Sequence, residues 1–221
     1  MSVYYQDDLV TLYHGDAREV TAWTDADVLV TDPPYGMALR SGMGGQFGDL
    51  RIVGDDDTTA RDTILDLWGA RPALMFGRWS VPHPPGTRMV LTWEKGNHVS
   101  MGDLSLPWKP NTEEVYVLGS GFVGHRGTSV LRHYAPAPAR SLGRQHPTEK
   151  PVSLMRDLLA KCPPEWVVAE PFAGSGTTLR AAADLGRRAV GVEIDEAYCE
   201  VIARRLAQGA LDLFPVGGER R

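Results

Sequence analysis

Cysteine is scarce in this chain: Cys162 and Cys199 are the only two among 221 residues. Two cannot build a disulfide scaffold or a cysteine zinc site. Both read as small buried apolar residues, kept reduced in a cytoplasmic setting. Long apolar runs are missing too, since none approaches the ~18 residues of a transmembrane helix. The first eight residues, Met1-Ser2-Val3-Tyr4-Tyr5-Gln6-Asp7-Asp8, lack the basic and apolar regions of a signal peptide. A soluble cytoplasmic protein is expected. Nor is there any excess of positive charge: 23 Lys+Arg against 28 Asp+Glu leave a net charge of -5. That excludes a histone-like binder, so any nucleic-acid contact must rest on a local basic patch.

What is present suits one α/β domain over residues 1–221, with 43% hydrophobic positions to fill a core. Ala26 to Thr31 is an apolar run ending at Asp32-Pro33-Pro34-Tyr35-Gly36, which reads as a buried strand stopping in a rigid turn. The glycine-rich stretch 36–57 follows and reads as a mobile loop. Thr58 to Leu67 has helical spacing, with Thr58 or Thr59 as N-cap. Pro72–Phe76, Arg88–Trp93 and Glu113–Leu118 read as strands. The region 119–148 contains no acidic residue but carries Arg126, Arg132, Arg140 and Arg144, and Pro136 and Pro138 argue against a central strand or helix there. The last third alternates regularly: a helix over Pro151–Cys162, a strand over Trp166–Ala169, a helix over Thr177–Leu185, a strand over Ala189–Val192 and a helix over Glu196–Gln208. Such alternation predicts a parallel sheet.

Two segments carry chemistry. In Glu170-Pro171-Phe172-Ala173-Gly174-Ser175-Gly176-Thr177-Thr178, a strand passes into a helix through Gly-Ser-Gly, letting backbone approach a ligand while the helix start offers free N–H groups. The same turn also serves close helix–strand packing. About twenty residues on, Glu193 ends the next strand, where a carboxylate can accept bonds from both hydroxyls of a ribose. Asp195 reads as the N-cap of the last helix. In Asp32-Pro33-Pro34-Tyr35, a carboxylate, a carbonyl and a flat ring stand at a strand's carboxyl end, where open α/β sheets bind ligands. Together they describe a slot for an exocyclic amine lying against an aromatic face.

These two segments in this order resemble the β-class of amino-DNA methyltransferases that use S-adenosylmethionine. Leu12-Tyr13-His14-Gly15-Asp16-Ala17 and His146-Pro147-Thr148-Glu149-Lys150-Pro151 agree with that family's pattern. The resemblance implies a Rossmann-like, seven-stranded, mostly parallel sheet with helices on both faces, the Asp32 and Phe172 strands side by side, and the two sites meeting where strand order reverses. It implies Asp32, Pro33, Pro34 and Tyr35 as catalytic residues. Phe172, Gly174, Ser175, Gly176 and Thr177 would line the methionine and ribose of the cofactor, with Glu170 and Asp32 bordering it. Glu193 would hold the ribose, Asp16 with Ala17 would lie near the adenine ring, and Thr148 and Lys150 near the methionine carboxylate. For Lys150 a solvated lysine is the competing reading. Glu170 replaces the family's more usual aspartate, an arm longer by one methylene.

The reaction implied is methyl transfer to adenine N6 in double-stranded DNA, with the target base rotated out of the helix at a cost of about a few kcal/mol. Stacking on Tyr35 could return roughly 1–3 kcal/mol. Aspartate at the first motif position leans towards adenine within the family, leaving cytosine N4 or an RNA amine as the alternative. A cofactor-binding DNA module without turnover is the third. Ring-carbon methylation needs a nucleophilic thiol, for which neither cysteine has a suitable context. Arg126, Arg132, Arg140 and Arg144 are candidates for DNA contact, as is Arg40 after Tyr35, with an ordinary solvated loop as the alternative reading of 119–148. A homodimer is compatible with the family; no metal is called for.

Overall fold

The computed structural model describes residues 2–34, 57–96, 104–134 and 149–213, with side chains to 208. The candidate residues Tyr35, Arg40, Arg140, Arg144 and Thr148, the 36–56 part of the expected loop, and the tail after Leu213 lie outside these. At the centre of the molecule stands β3 (Val28–Thr31), all four residues buried, as expected of a parallel strand covered on both faces. Strands are numbered along the chain. Across the sheet they run β1 (Ser2–Gln6), β2 (Val10–His14), β9 (Ala189–Glu193), β8 (Val168–Glu170), β3, β4 (Ala73–Gly77), β6 (Thr112–Leu118), β5 (Met89–Glu94) and β7 (Val130–Arg132).

From β2 to β4 every neighbour is parallel. β6 is antiparallel to both β4 and β5, β1 is antiparallel to β2, and β7 is parallel to β5. Among the described residues there are thus nine strands rather than seven. The seven from β2 to β5 form the expected α/β sheet, and the two additions close its edges. β1 is exposed or half-buried along its length and β7 has three residues, so neither bears the apolar alternation by which a strand is read from sequence.

Alternate side chains of the central strands enter two cores. Val28, Val30, Leu74 and Phe76 pack with α2 (Val152–Leu159), α3 (Thr177–Asp184) and α4 (Glu196–Leu213). Leu29, Ala73 and Met75 pack with Trp23 of a short 3-10 helix (Thr21–Asp25) and with Ile64 and Trp68 of α1 (Thr59–Trp68). Helices therefore cover both faces. From β3 the chain crosses through α1 to β4, whereas from β8 it crosses through α3 to β9 in the opposite direction along the sheet. The two crossovers diverge between β3 and β8, which opens a crevice outside the carboxyl ends of those strands.

Candidate active site

β3 and β8 lie side by side, Leu29 beside Ala169, so their carboxyl ends deliver Thr31-Asp32-Pro33 and Glu170-Pro171-Phe172 to the same place. Glu170 joins them. Its Oε1 accepts from Thr31 Oγ1 at 2.6 Å and from the Phe172 N–H at 3.2 Å, and its Oε2 accepts from Thr178 Oγ1 on α3 at 2.7 Å. The extra methylene of glutamate spans strand, turn and helix at once. The side chain is buried, and burial raises its pKa to about 8 although all three donors pull the other way. Glu170 thus sits beneath the turn, holding the two motifs together.

Above it, Asp32 is one-quarter exposed while Pro33 is buried. The ammonium of Lys150 reaches Asp32: Nζ lies 2.5 Å from Oδ2, and 3.1 Å from Oε2 of Glu113 at the start of β6. Lys95, just past β5, pairs with the other oxygen of Glu113. The result is an alternating row, Asp32, Lys150, Glu113, Lys95, over the rings of Phe76 and Trp93, whose centroids are 5.0 and 6.0 Å from Lys150 Nζ. Burial works against both inner charges. For Lys150 the two carboxylates outweigh it and its pKa is raised; for Glu113 the two ammonium groups outweigh it and its pKa is lowered. Lys150 is therefore a charged group inside the site, not a solvated lysine.

Beyond Phe172 the turn is shaped by glycine. Gly174 has φ +53°, with open space where a Cβ would stand except for Phe172 O at 3.9 Å. Gly176, at φ +77°, starts α3, and a Cβ there would meet Ile202 Cγ1 at 2.9 Å. Glu193, nearly buried at the end of β9, reaches across with Oε2 accepting from Gly174 N at 2.7 Å and Oε1 from Asp195 N at 2.9 Å. Each oxygen keeps a lone pair after these bonds. Asp195 also caps α4, accepting from Ala197 N at 2.8 Å. Asp16 joins the same edge: His14 is paired with Glu193, and Gly15 N donates to Glu193 O at 2.9 Å. The Asp16 carboxylate is held by Arg18, which lowers its pKa, and Ala17 is buried beside it.

The hydroxyls of Ser175 and Thr177 turn inward and lie 3.2 Å apart. There they meet Arg205 of α4, whose Nη1 donates to Ser175 O at 2.7 Å and to Thr177 Oγ1 at 3.2 Å, and whose Nη2 pairs with Glu149. Arg205 thus ties the Gly-Ser-Gly turn to the residue preceding Lys150. Neither it, Glu113 nor Lys95 stands in a motif that the sequence singles out, although an acidic pair opening an apolar strand at Glu113-Glu114 was a usable signal; Glu149 lies in the His146–Pro151 stretch but is given no role there.

The basic region separates in space. β6 runs antiparallel to β4, so its carboxyl end points away from Asp32. The residues after it are fixed at that far end, with Val123 N donating to Lys161 O and Lys161 Nζ to His125 O. Arg126 is exposed there, away from the site and not gathered with Arg132. Arg132 ends β7, on the same side of the sheet as Asp32, and pairs with Glu94 at 3.1 Å.

Known proteins resemble this chain in sequence and in fold. The DNA methylase family of the N6/N4 type matches residues 92–204, just over half the chain. YubD of Escherichia coli (strain K12), named as a methylase, is 30% identical over 200 residues, covering 82% of each protein. The chain belongs to the N6/N4 DNA methylase family. The DNA adenine methyltransferase YhdJ of the same organism is 45% identical over 62 residues, covering 28% of this chain and 21% of YhdJ. Among solved structures, M1.HpyAVI in complex with SAM superposes with a TM-score of 0.64 at 21% identity, covering 90% of this chain and 99% of the other. The cytosine-N4-specific PvuII DNA methyltransferase gives 0.68 at 13% identity, covering 92% and 88%. At these identities the structural matches speak for the shared fold.

Proposed function

We propose that this N6/N4 DNA methylase transfers a methyl group from S-adenosylmethionine to the N6 amine of an adenine rotated out of double-stranded DNA. The observation that carries the reading is Glu170 Oε1, shared by Thr31 and the Phe172 N–H, which holds the Asp32 corner against the glycine turn. When bound, the cofactor supplies an electrophilic methyl on a positively charged sulfur. The residues suit it: an open left-handed Gly174, a Glu193 carboxylate fixed at both oxygens yet able to accept ribose hydroxyls, Asp16 on the adjoining edge, and Lys150 with a further N–H for a carboxylate. Phe172 borders the same crevice, while Ser175 and Thr177 serve by fixing the turn.

An aromatic amine is a poor nucleophile because its lone pair is delocalised into the ring. Asp32 and the Pro33 carbonyl accept its two N–H bonds, favouring a more tetrahedral nitrogen and stabilising the positive charge that grows on it. Holding the amine in line supplies the rest. As nitrogen gains the methyl it must lose one proton, and Asp32 is the carboxylate placed to take it. Tyr35 would stack on the base, and Arg132 would contact phosphate from the same side of the sheet. Asp32 and the YhdJ match favour adenine; the family, which spans N6 and N4 amines, keeps cytosine N4 as the second reading.

The test is to incubate unmodified duplex DNA, and RNA, with labelled methyl donor, then digest and identify the nucleoside. Labelled N6-methyladenine is expected from DNA, lost in Asp32→Ala with cofactor binding largely retained. Label in N4-methylcytosine or in RNA selects the second reading. Tight DNA binding without any label selects a module that does not turn over.

A further inference from the structure

The row of charges behind Asp32 is longer than an ion pair needs. Asp32 and Lys150 already neutralise one another; Glu113 and Lys95 add a second, half-buried pair, at a desolvation cost that a salt bridge seldom recovers as stability. Their arrangement has a consequence for the chemistry. Lys150 Nζ stands between two carboxylates, 2.5 Å from one and 3.1 Å from the other, and Lys95 fixes the second from behind. An ammonium that leaned on Asp32 alone would occupy the oxygen and drain the negative charge that the target amine must use. Glu113 supplies the opposing pull.

We propose that Glu113 is a positioning residue for methyl transfer: it draws the Lys150 ammonium towards β6, so that Asp32 can accept the base amine and face the charge developing on nitrogen. The inference rests on the methyl-transfer reading of the site. Glu113 touches neither base nor cofactor in this account and acts through Lys150. Without the Glu113 charge, Lys150 closes onto Asp32, occupying the oxygen and the negative charge that the nitrogen needs as it becomes positive, which penalises the transition state more than the bound ground state.

The experiment measures single-turnover and steady-state methylation of duplex DNA, cofactor Kd by calorimetry, and Tm, for wild type and variants. Glu113→Gln is expected to lower kcat roughly 10- to 100-fold, the scale of a small misplacement at the reacting centre, with cofactor Kd and the KM for DNA near wild type. Glu113→Asp, which keeps the charge on a shorter arm, is expected to fall between the two. In a Lys150→Met background the added Glu113→Gln should cost no more than about twofold, the scatter allowed for additive sites, because its route of action is gone. Wild-type kcat in Glu113→Gln overturns the proposal, as does an equal loss with and without Lys150, or a loss that tracks only the fraction of protein able to bind cofactor. Should Glu113→Gln not fold, wild-type kcat in Glu113→Asp overturns it. A wild-type protein that labels no nucleic acid defeats the methyl-transfer reading itself, whereas an active wild type with an undiminished variant defeats this inference alone.

Discussion

Replacing Glu170 by glutamine should make the protein more stable at alkaline pH and leave it nearly unchanged under mildly acid conditions. The side chain is 2% exposed and carries a pKa raised from 4.5 to about 8, chiefly by burial. Between those values the native state holds a proton that the unfolded chain has released. The stabilisation is therefore complete below 4.5 and is lost as pH rises through about 8. At about 1.4 kcal/mol per pH unit, the window can remove as much as ~4 kcal/mol by pH 8.5. Glutamine is close in size, does not ionise, and can satisfy the same three groups: its carbonyl accepts from Thr31 and Phe172 N, and its amide donates to the Thr178 hydroxyl. Urea unfolding of both proteins at pH 5.5, 7 and 8.5 isolates the effect, because titrations elsewhere cancel in the difference. The variant should match wild type within about 1 kcal/mol at pH 5.5 and exceed it by a few kcal/mol at pH 8.5. In melting temperature that is on the order of 10 °C for a chain of this size. Parallel stability curves would refute the argument, showing that Glu170 ionises without penalty in its bed of hydroxyls.

Two other substitutions test the turn. Gly176→Ala places a methyl at φ +77° against Ile202; it is expected to cost about 1–3 kcal/mol in denaturant unfolding and to weaken cofactor binding measured by calorimetry. Arg205→Met removes the guanidinium that pairs with Glu149 and holds the Ser175 carbonyl. A loss of about 3–5 kcal/mol is expected, partly recovered in the Arg205→Met/Glu149→Met double variant, and unchanged unfolding curves would show the pair to be solvated.

The parts of this molecule that sequence reveals are those whose chemistry is local. β3 announces itself because it is buried on both faces and therefore apolar without a break, and Pro33-Pro34 fix where it must stop. α2, α3 and α4 carry their apolar stripes within a few turns. Their ends agree with expectation to within a few residues, save for α2, which stops at Leu159, and α4, which runs on to Leu213. The edge strands do not announce themselves. Tyr4 and Tyr5 of β1 are only half-buried, and Val130 and Leu131 of β7 are too few for a period to show. Lys95 and Arg205 were illegible for another reason: each takes its meaning from a partner far off in sequence, and a lone charged residue on a strand end or helix resembles any solvated one.

Lys150 shows how the two kinds of information join. Its place in His146-Pro147-Thr148-Glu149-Lys150-Pro151 points to a ligand's carboxylate, and the structure gives its ammonium to Asp32 and Glu113. Both can hold at once, because an ammonium has three N–H groups: one donates to Asp32, while Glu113 Oε2 at 3.1 Å is an ion-pair contact. A single cation would then register the cofactor's carboxylate, the carboxylate that receives the base, and the half-buried acid behind them. On the proposed reading, that coupling would give the site an order of readiness: a carboxylate taken up by Lys150 would share its ammonium and loosen its hold on Asp32 as the base arrives, so that acceptance of the amine would depend on a loaded cofactor site.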